Sequence, residues 1–535
     1  MKANRFLFRA PAIFGIPLKV GVPVFVGFSF AISGLTANAG DILRGGSTRS
    51  NKPARANGGT PTPAATDAAR ANAKDSLART SRTLSDIRNL QNAARNAAIR
   101  NGANHLGRNP NRPAVNLPKV PNGIAIGGLN PTLDPTKWTG ADKPVQTVKG
   151  GKTTVTIRQT TQQALLEWQT MNVGKKTTLN FDQKKGGADS GKWIAFNQIK
   201  DTSGNPTQIL GNIKADGQVY LINTNGIIFG GSSQVNAKAL TASSLPINTK
   251  LIAQGLLNNP DREFLFDGLN AGLSETRIGD ITVQAGARIT SPVGDDGNGG
   301  RVSLIGPNVT NEGTISTPAG QTILAAGLQV GFLAHASNDP SIRGLDVVVG
   351  AVSDPASTLS PYAGTATNRG LIEGARANIT LTGKDVRQAG VIESSTSVSL
   401  NGSVSLLANY GATRNEGYNA TDASKGTPFN FSASGTVKLE EGSLTRILPE
   451  YGSKDKVTGT ELALRSRIDV QGKSIYIGKD AEILAPNAKV SLNAGAWTQM
   501  ESGPFAAFLN TEGQVYLDSG ARINLAGTVE AKASF

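Results

Sequence analysis

Short β-branched runs, separated by Gly- and Asn-rich breaks, set the texture of the chain from about residue 145 onward. Thr153-Thr-Val-Thr-Ile157, Gln218-Val-Tyr-Leu-Ile222, Val302-Ser-Leu304 and Ser474-Ile-Tyr-Ile477 each read as a brief strand. The runs recur. Val302-Ser-Leu-Ile-Gly-Pro-Asn-Val-Thr-Asn-Glu-Gly-Thr-Ile315 aligns without a gap on Ile379-Thr-Leu-Thr-Gly-Lys-Asp-Val-Arg-Gln-Ala-Gly-Val-Ile392, and Gly217-Gln-Val-Tyr-Leu221 returns verbatim as Gly513-Gln-Val-Tyr-Leu517. The next equivalent strand is expected after about 20 residues, from Val302 to Thr322 and from Ile379 to Val398.

A period near 20, with three short strands per period, predicts an all-β fold of the right-handed parallel β-helix (solenoid) type. Coils stacked about 4.8 Å apart turn inward Val, Ile and Leu into one apolar column. Corners demand φ > 0, which accounts for the Gly and Asn between strands. Filled evenly, residues 145–535 make roughly 20 coils, a rod near 90–100 Å long. A series of β-sandwiches would instead space its strands at about 8–12 residues.

The first 115 residues have a different pattern. Lys2, Arg5, Arg9 and Lys19 precede an apolar run, Val20 to Leu35, interrupted by Pro23. Ala37 and Ala39 then occupy the −3 and −1 positions of a signal-peptidase site cut before Gly40, so residues 1–39 read as a secretory signal. The run is short for a bilayer core of about 30 Å. Residues 40–115 form a basic linker with one amphipathic helix over residues 67–100, where Leu77, Leu84, Ile87, Leu90 and Ile99 recur at roughly helical spacing. Its Arg face suits an anionic surface such as lipid or lipopolysaccharide, or else it is a solvated spacer. No aromatics stand between the arginines to stack on bases, so nucleic acid is not an expected partner.

Composition narrows the chemistry. The chain has 535 residues, 63 Gly, 2 His and no Cys, with a formal charge of +15. Disulfides, thiolate metal sites and Cys nucleophiles are excluded. His105 and His335 alone give a multi-His metal centre or a Ser-His-Asp triad almost nothing to work with. No metal, cofactor or catalytic residue is expected. Asp295-Asp-Gly-Asn-Gly-Gly300 lacks the frame of a calcium loop and reads as an exposed turn. Of the 15 net charges, 13 precede residue 116, so the charge belongs to the signal and linker. A secreted chain without disulfides suits one that crosses a second barrier unfolded.

One stretch is more distinctive than the repeats. It runs Ala164-Leu-Leu-Glu-Trp-Gln-Thr-Met-Asn-Val-Gly-Lys-Lys-Thr-Thr-Leu-Asn-Phe181, then Trp193-Ile-Ala-Phe-Asn-Gln-Ile199 and Gln208-Ile-Leu-Gly-Asn-Ile213. It closes with Gly217-Gln-Val-Tyr-Leu-Ile-Asn-Thr-Asn-Gly-Ile-Ile-Phe-Gly-Gly231 and Leu240-Thr-Ala-Ser-Ser-Leu245. Over about residues 138–250 this resembles the N-terminal domain of filamentous-haemagglutinin-like exoproteins of two-partner secretion. Thr224 stands where that family has Pro, Gln198 where it has Arg, and Asn130-Pro-Thr-Leu133 only echoes a further Asn-Pro-Asn-Leu motif.

The resemblance implies a secretion domain at residues 116–250 and a β-helix repeat body at 251–535. It implies a partner outer-membrane β-barrel transporter with periplasmic docking modules, through which the chain threads unfolded from the periplasm of a Gram-negative cell. Asn223, Asn225, Gly226, Ile227, Phe229, Gly230, Asn197 and Ile199 are the candidate transporter-recognition residues. The competing role for the same residues is a corner that caps the early coils, with a turn at Asn225-Gly226 and Asn223 bonded to the backbone of the adjacent coil. The expected product is a secreted or surface adhesin with a host-cell, matrix or glycan receptor. A β-helical enzyme acting on surface polysaccharide and a truncated contact-dependent toxin-delivery protein are the alternatives, although Asp and Glu are scattered rather than clustered.

Overall fold

The computed structural model describes residues 117–273, 278–294, 297–334, 341–355, 362–419, 428–450, 464–499, 506–508 and 512–527. The signal with Ala37, Ala39 and Gly40, the helix expected over 67–100, and both histidines lie outside the described residues.

Three parallel faces wind into a β-helix. The first holds nine strands in one ladder, starting with Thr207–Ile209, Ile227–Phe229, Ile281–Val283 and Asn308–Asn311 and reaching Gln514–Leu517. The second runs from Lys152–Arg158 to Arg522–Asn524, and the third from Gln163–Met171 to Lys489–Ala494. Alternation creates the interior, since every second residue of a strand points the same way. Lys152–Arg158 and Arg467–Gly472 alternate buried with exposed or half-buried residues. Stacked in register, the buried positions make the apolar column. Val155, Leu179, Ile213, Val235, Ile289, Ile315, Ile372 and Ile392 follow one another on the second face. Thr445 interrupts the column, and Ile483 and Ile523 resume it.

The gapless repeat occupies equivalent places. Val302 and Ile379 lie on the third face, Val309 and Val386 on the first, and Ile315 and Ile392 on the second. The 20-residue step holds for Val302 and Thr322. It fails at Ile379, which pairs with Val404; Val398 is exposed in the turn before that strand. A longer corner between the second and third faces displaces the strand.

The roughly 20 even coils expected are likewise not found, since the first face has nine strands among the described residues. The described parts of residues 244–280, 327–364 and 408–435 leave the coil path before the next strand of the first face begins. They carry the antiparallel pairs Phe266–Asp267 with Gln329–Ala334, Gln329–Ala334 with Leu345–Val349, and Asn409–Tyr410 with Ala433–Ser434.

Two of these excursions cover the outer side of the third face. Phe196, Tyr220, Ile305 and Ile323 point outward there into a second core with Leu245, Leu251, Phe266 and Phe332. Gln321–Ala326 is therefore buried at all six positions, and alternation disappears. A sheet covered on both sides reads as a continuous apolar run. At the N-terminal end, Leu129–Pro131 and Trp138–Thr139 pair antiparallel with Gln163–Met171 and close the column. Trp138 meets Trp168 edge-on with ring centres 5.1 Å apart.

Candidate functional site

The Asn-x-Asn-Gly corner joins the third face to the first, between Gln218–Ile222 and Ile227–Phe229. Asn223 is 1% exposed and all its polar groups are engaged. Its N–H donates to Ser243 O (3.0 Å), and its carbonyl accepts from Gly226 N–H (2.9 Å). Its Oδ1 accepts from Asn225 N–H (3.0 Å), and its Nδ2 donates to Thr207 Oγ1 (3.0 Å). This Asx-turn mimics a backbone turn with a side chain. Asn225 reaches the preceding coil, its Nδ2 donating to Asp201 O at 2.7 Å.

Gly226 has φ +100°, and a Cβ there would sit 2.7 Å from Asp280 O. That oxygen accepts from Ile227 N–H. Glycine is required both for the positive φ and for the approach of the next coil. Ile227 and Phe229 then enter the column fully buried, paired in register with Thr207 and Ile209 on one side and Ile281 and Val283 on the other. Gly230 N–H donates to Ile209 O at 2.8 Å.

Asn197 lies one coil earlier, fully buried. Its Oδ1 accepts from Trp168 Nε1 (3.0 Å) while its Nδ2 donates to Ala195 O and Tyr220 O (both 3.1 Å). Ile199, 5% exposed, is the register partner of Trp168. The motif residues thus share a neighbourhood of consecutive coils, and of the eight only Asn225 is even half-exposed.

The expected φ > 0 turn is present at Gly226; Asn225 itself keeps negative φ. Asn223 bonds the backbone of the adjacent coil through its N–H to Ser243 O; its side-chain amide is consumed by Thr207 and the turn itself, and the Asn225 amide makes the side-chain contact to backbone, at Asp201 O.

A scan of family models matches the TPS secretion domain to residues 131–407. The chain belongs to the TPS secretion domain family. The resemblance read over residues 138–250 therefore stands, on a match that extends to residue 407. Among relatives, the heme/hemopexin-binding protein of Haemophilus influenzae is 32% identical over 90 residues, 17% of this chain and 9% of that protein. Its counterpart in Haemophilus influenzae (strain ATCC 51907 / DSM 11121 / KW20 / Rd) is 31% identical over 90 residues, with the same coverage. The match thus spans less than a tenth of the length of these relatives. Among solved structures, the HMW1 secretion domain from Haemophilus influenzae aligns at 21% identity and a TM-score of 0.41, covering 73% of this chain and 84% of that one.

Several residues that fix the TPS corner carry no signal in the sequence. Thr207, Asp201 and Asp280 are unremarkable in their own segments, and only the coil stacking brings them to the turn. Asp280 also accepts from Asn308 N–H and Nδ2 (both 3.2 Å) and from the Tyr362 hydroxyl (2.8 Å). Burial, then the Asp280 charge and hydrogen bond, push the Tyr362 phenol far above its ordinary range.

Electrostatics divide the TPS chain. Residues 117–250 carry 15 Lys+Arg against 7 Asp+Glu, and residues 251–535 carry 22 against 28. Among the described residues no group of three or more His, Cys, Asp or Glu is placed to hold a metal ion. The described end of the Asp295–Gly300 stretch is a turn, with Gly297 N–H donating to Gly294 O and Lys238 Nζ to Asn298 O at 2.6 Å.

Proposed function

We propose that this chain is the exported member of a two-partner secretion pair and that its mature product is a surface or secreted adhesin. In this reading a dedicated outer-membrane barrel with periplasmic modules accepts the chain from the periplasm, and the chain folds outside. The observation that carries the reading is the TPS secretion domain match over residues 131–407, laid on coils that contact chiefly their neighbours. A solenoid of that kind can add one coil at a time to a growing end. Burial of each arriving apolar strand then opposes backward sliding through the barrel.

The burial of Asn197, Asn223, Ile227 and Phe229 supports a specific division of labour. These side chains are open to a transporter only before the corner closes, so recognition through them precedes folding. After folding the same atoms hold the early coils together. The signal cleaved before Gly40 supplies entry to the periplasm, and the basic 40–115 segment supplies an anionic-surface contact there.

Deleting the partner transporter tests the proposal. The chain is then expected to stay in the periplasm and be degraded, with its extracellular level falling at least tenfold. An unchanged extracellular level overturns it.

A further inference from the structure

A groove on the outer side of the third face has a volume of about 390 Å³, and Lys238, Arg301, Gln321, Arg343 and Asn378 contribute to its lining. Three cations line it, and among the described residues no carboxylate does; Lys238 is already engaged, its Nζ donating to Asn298 O. Arg301, Gln321 and Asn378 hold one register position on successive coils, so they stand in a row at about the 4.8 Å strand spacing. Beneath them backbone packs on backbone: a Cβ on Gly320 would lie 2.0 Å from Gly300 O. Glycine at those two positions is what lets successive coils approach so closely.

Each of the two arginines keeps one donor that no protein acceptor meets. Nε of Arg301 and Nε of Arg343 are both buried without a hydrogen-bond partner. Neither arginine has a carboxylate within ion-pair distance among the described residues. The Arg301 guanidinium lies over the Phe332 ring, 5.8 Å from its centre. Arg343 Nη2 donates to Arg376 O (2.8 Å) and to Asn401 O, which anchors one edge of its fork. Burial and the neighbouring Arg376 charge hold Arg343 below the usual guanidinium range, a penalty that a bound anion relieves. A charged donor buried without an acceptor is costly, so both guanidinium groups are held by packing rather than by a protein partner at Nε.

We infer that this groove binds a compact hydroxylated carboxylate, of the size and chemistry of a single uronate unit. The planar Arg301 guanidinium matches a carboxylate in two-point contact, as an ammonium cannot, and Arg343 adds a second positive charge beside it. The Gln321 and Asn378 amides beside it offer partners to hydroxyl groups. The Gln321 amide is itself held, donating to Leu345 O and accepting from Leu345 N–H at 2.9 Å each, so its position is set before a ligand arrives.

Calorimetric titration of the secreted full chain with glucuronate, and separately with glucose, tests the inference. Glucuronate is expected to bind and glucose not to. Arg301→Gln is expected to weaken glucuronate at least tenfold, and Lys214→Gln, at an exposed cation outside the groove, to leave it unchanged. Should Arg301→Gln disturb the Phe332 packing, Arg301→Lys keeps charge and stem but loses the fork, and at least a threefold loss is expected. Equal binding of glucose and glucuronate overturns the inference. So does a glucuronate affinity that survives both Arg301 changes, or one that falls as much with Lys214→Gln.

Discussion

The pentapeptide Gly-Gln-Val-Tyr-Leu occurs at 217–221 and again at 513–517, and the two copies live in different places. The first lies on the third face between the strands at Ile194 and Ala239. The second lies on the first face, beside Ser474–Ile477, and is the last strand of that ladder. Tyr220 is 1% exposed, its ring 4.8 Å from Phe196 in the outer core; Tyr516 is 47% exposed and stacks at 5.1 Å on Tyr476. Identical residues form a strand in both settings, so the local sequence specifies conformation. Which face it joins, and what covers it, comes from neighbouring coils and from the excursions.

The widest gap between the copies is expected on truncating the tyrosine. Tyr220→Ala should cost about 3–5 kcal/mol in a denaturant melt, as for other buried aromatics. Tyr516→Ala should stay below about 1 kcal/mol, in the range of exposed sites. Equal losses would mean that the outer core over the third face does not contribute to stability. A smaller effect comes from the coil beneath Tyr220. Asn197→Ala leaves Trp168 Nε1 and Tyr220 O without their partner, a cost of about 1–3 kcal/mol. A loss within error would break the link between the motif asparagine and the buried copy.

The smallest effect belongs to the exposed copy. The Tyr476 hydroxyl donates to Asp518 at 2.6 Å, and this bond is the main reason the Asp518 carboxyl sits below its ordinary value. The stability it adds is present above the ordinary aspartate range and is lost as pH falls through the lowered folded value. Tyr476→Phe should let Asp518 titrate closer to 3.8, followed by NMR. An unmoved titration would show that Asp518 draws nothing from this tyrosine.

Much of the fold was legible because β-helix coils write their period into the chain. The Val302–Ile315 and Ile379–Ile392 repeats predicted three strands per coil, and each lands on its own face. The even 20-residue spacing was not a safe extrapolation, since excursions such as 327–364 insert residues at a corner without disturbing the register on either side. Loop insertions cost little in chain entropy as they lengthen, so the coil tolerates them. The verbatim pentapeptide does not mark an equivalent place for the same reason, as the face a strand joins depends on stacking partners far away in sequence. At the corner, Gly226 and Asn223 were readable from turn chemistry alone. Thr207, Asp201 and Asp280 were not, because each is brought to the turn only by the coil stacking.

The central claim is that the chain crosses the outer membrane unfolded and closes its coils outside, which its lack of cysteine permits. Thr310 and Thr367 are register partners on the first face, 57 residues apart in sequence. Adjacent-strand positions fall within the Cα separation a disulfide accepts. The direct measurement is the extracellular yield of a Thr310→Cys/Thr367→Cys chain expressed with and without reductant, beside each single variant. In the oxidising periplasm the double variant should fall at least tenfold and recover with reductant, while the single variants export normally. A double variant that reaches the medium at the unmodified rate with its disulfide already formed in the periplasm would contradict unfolded export.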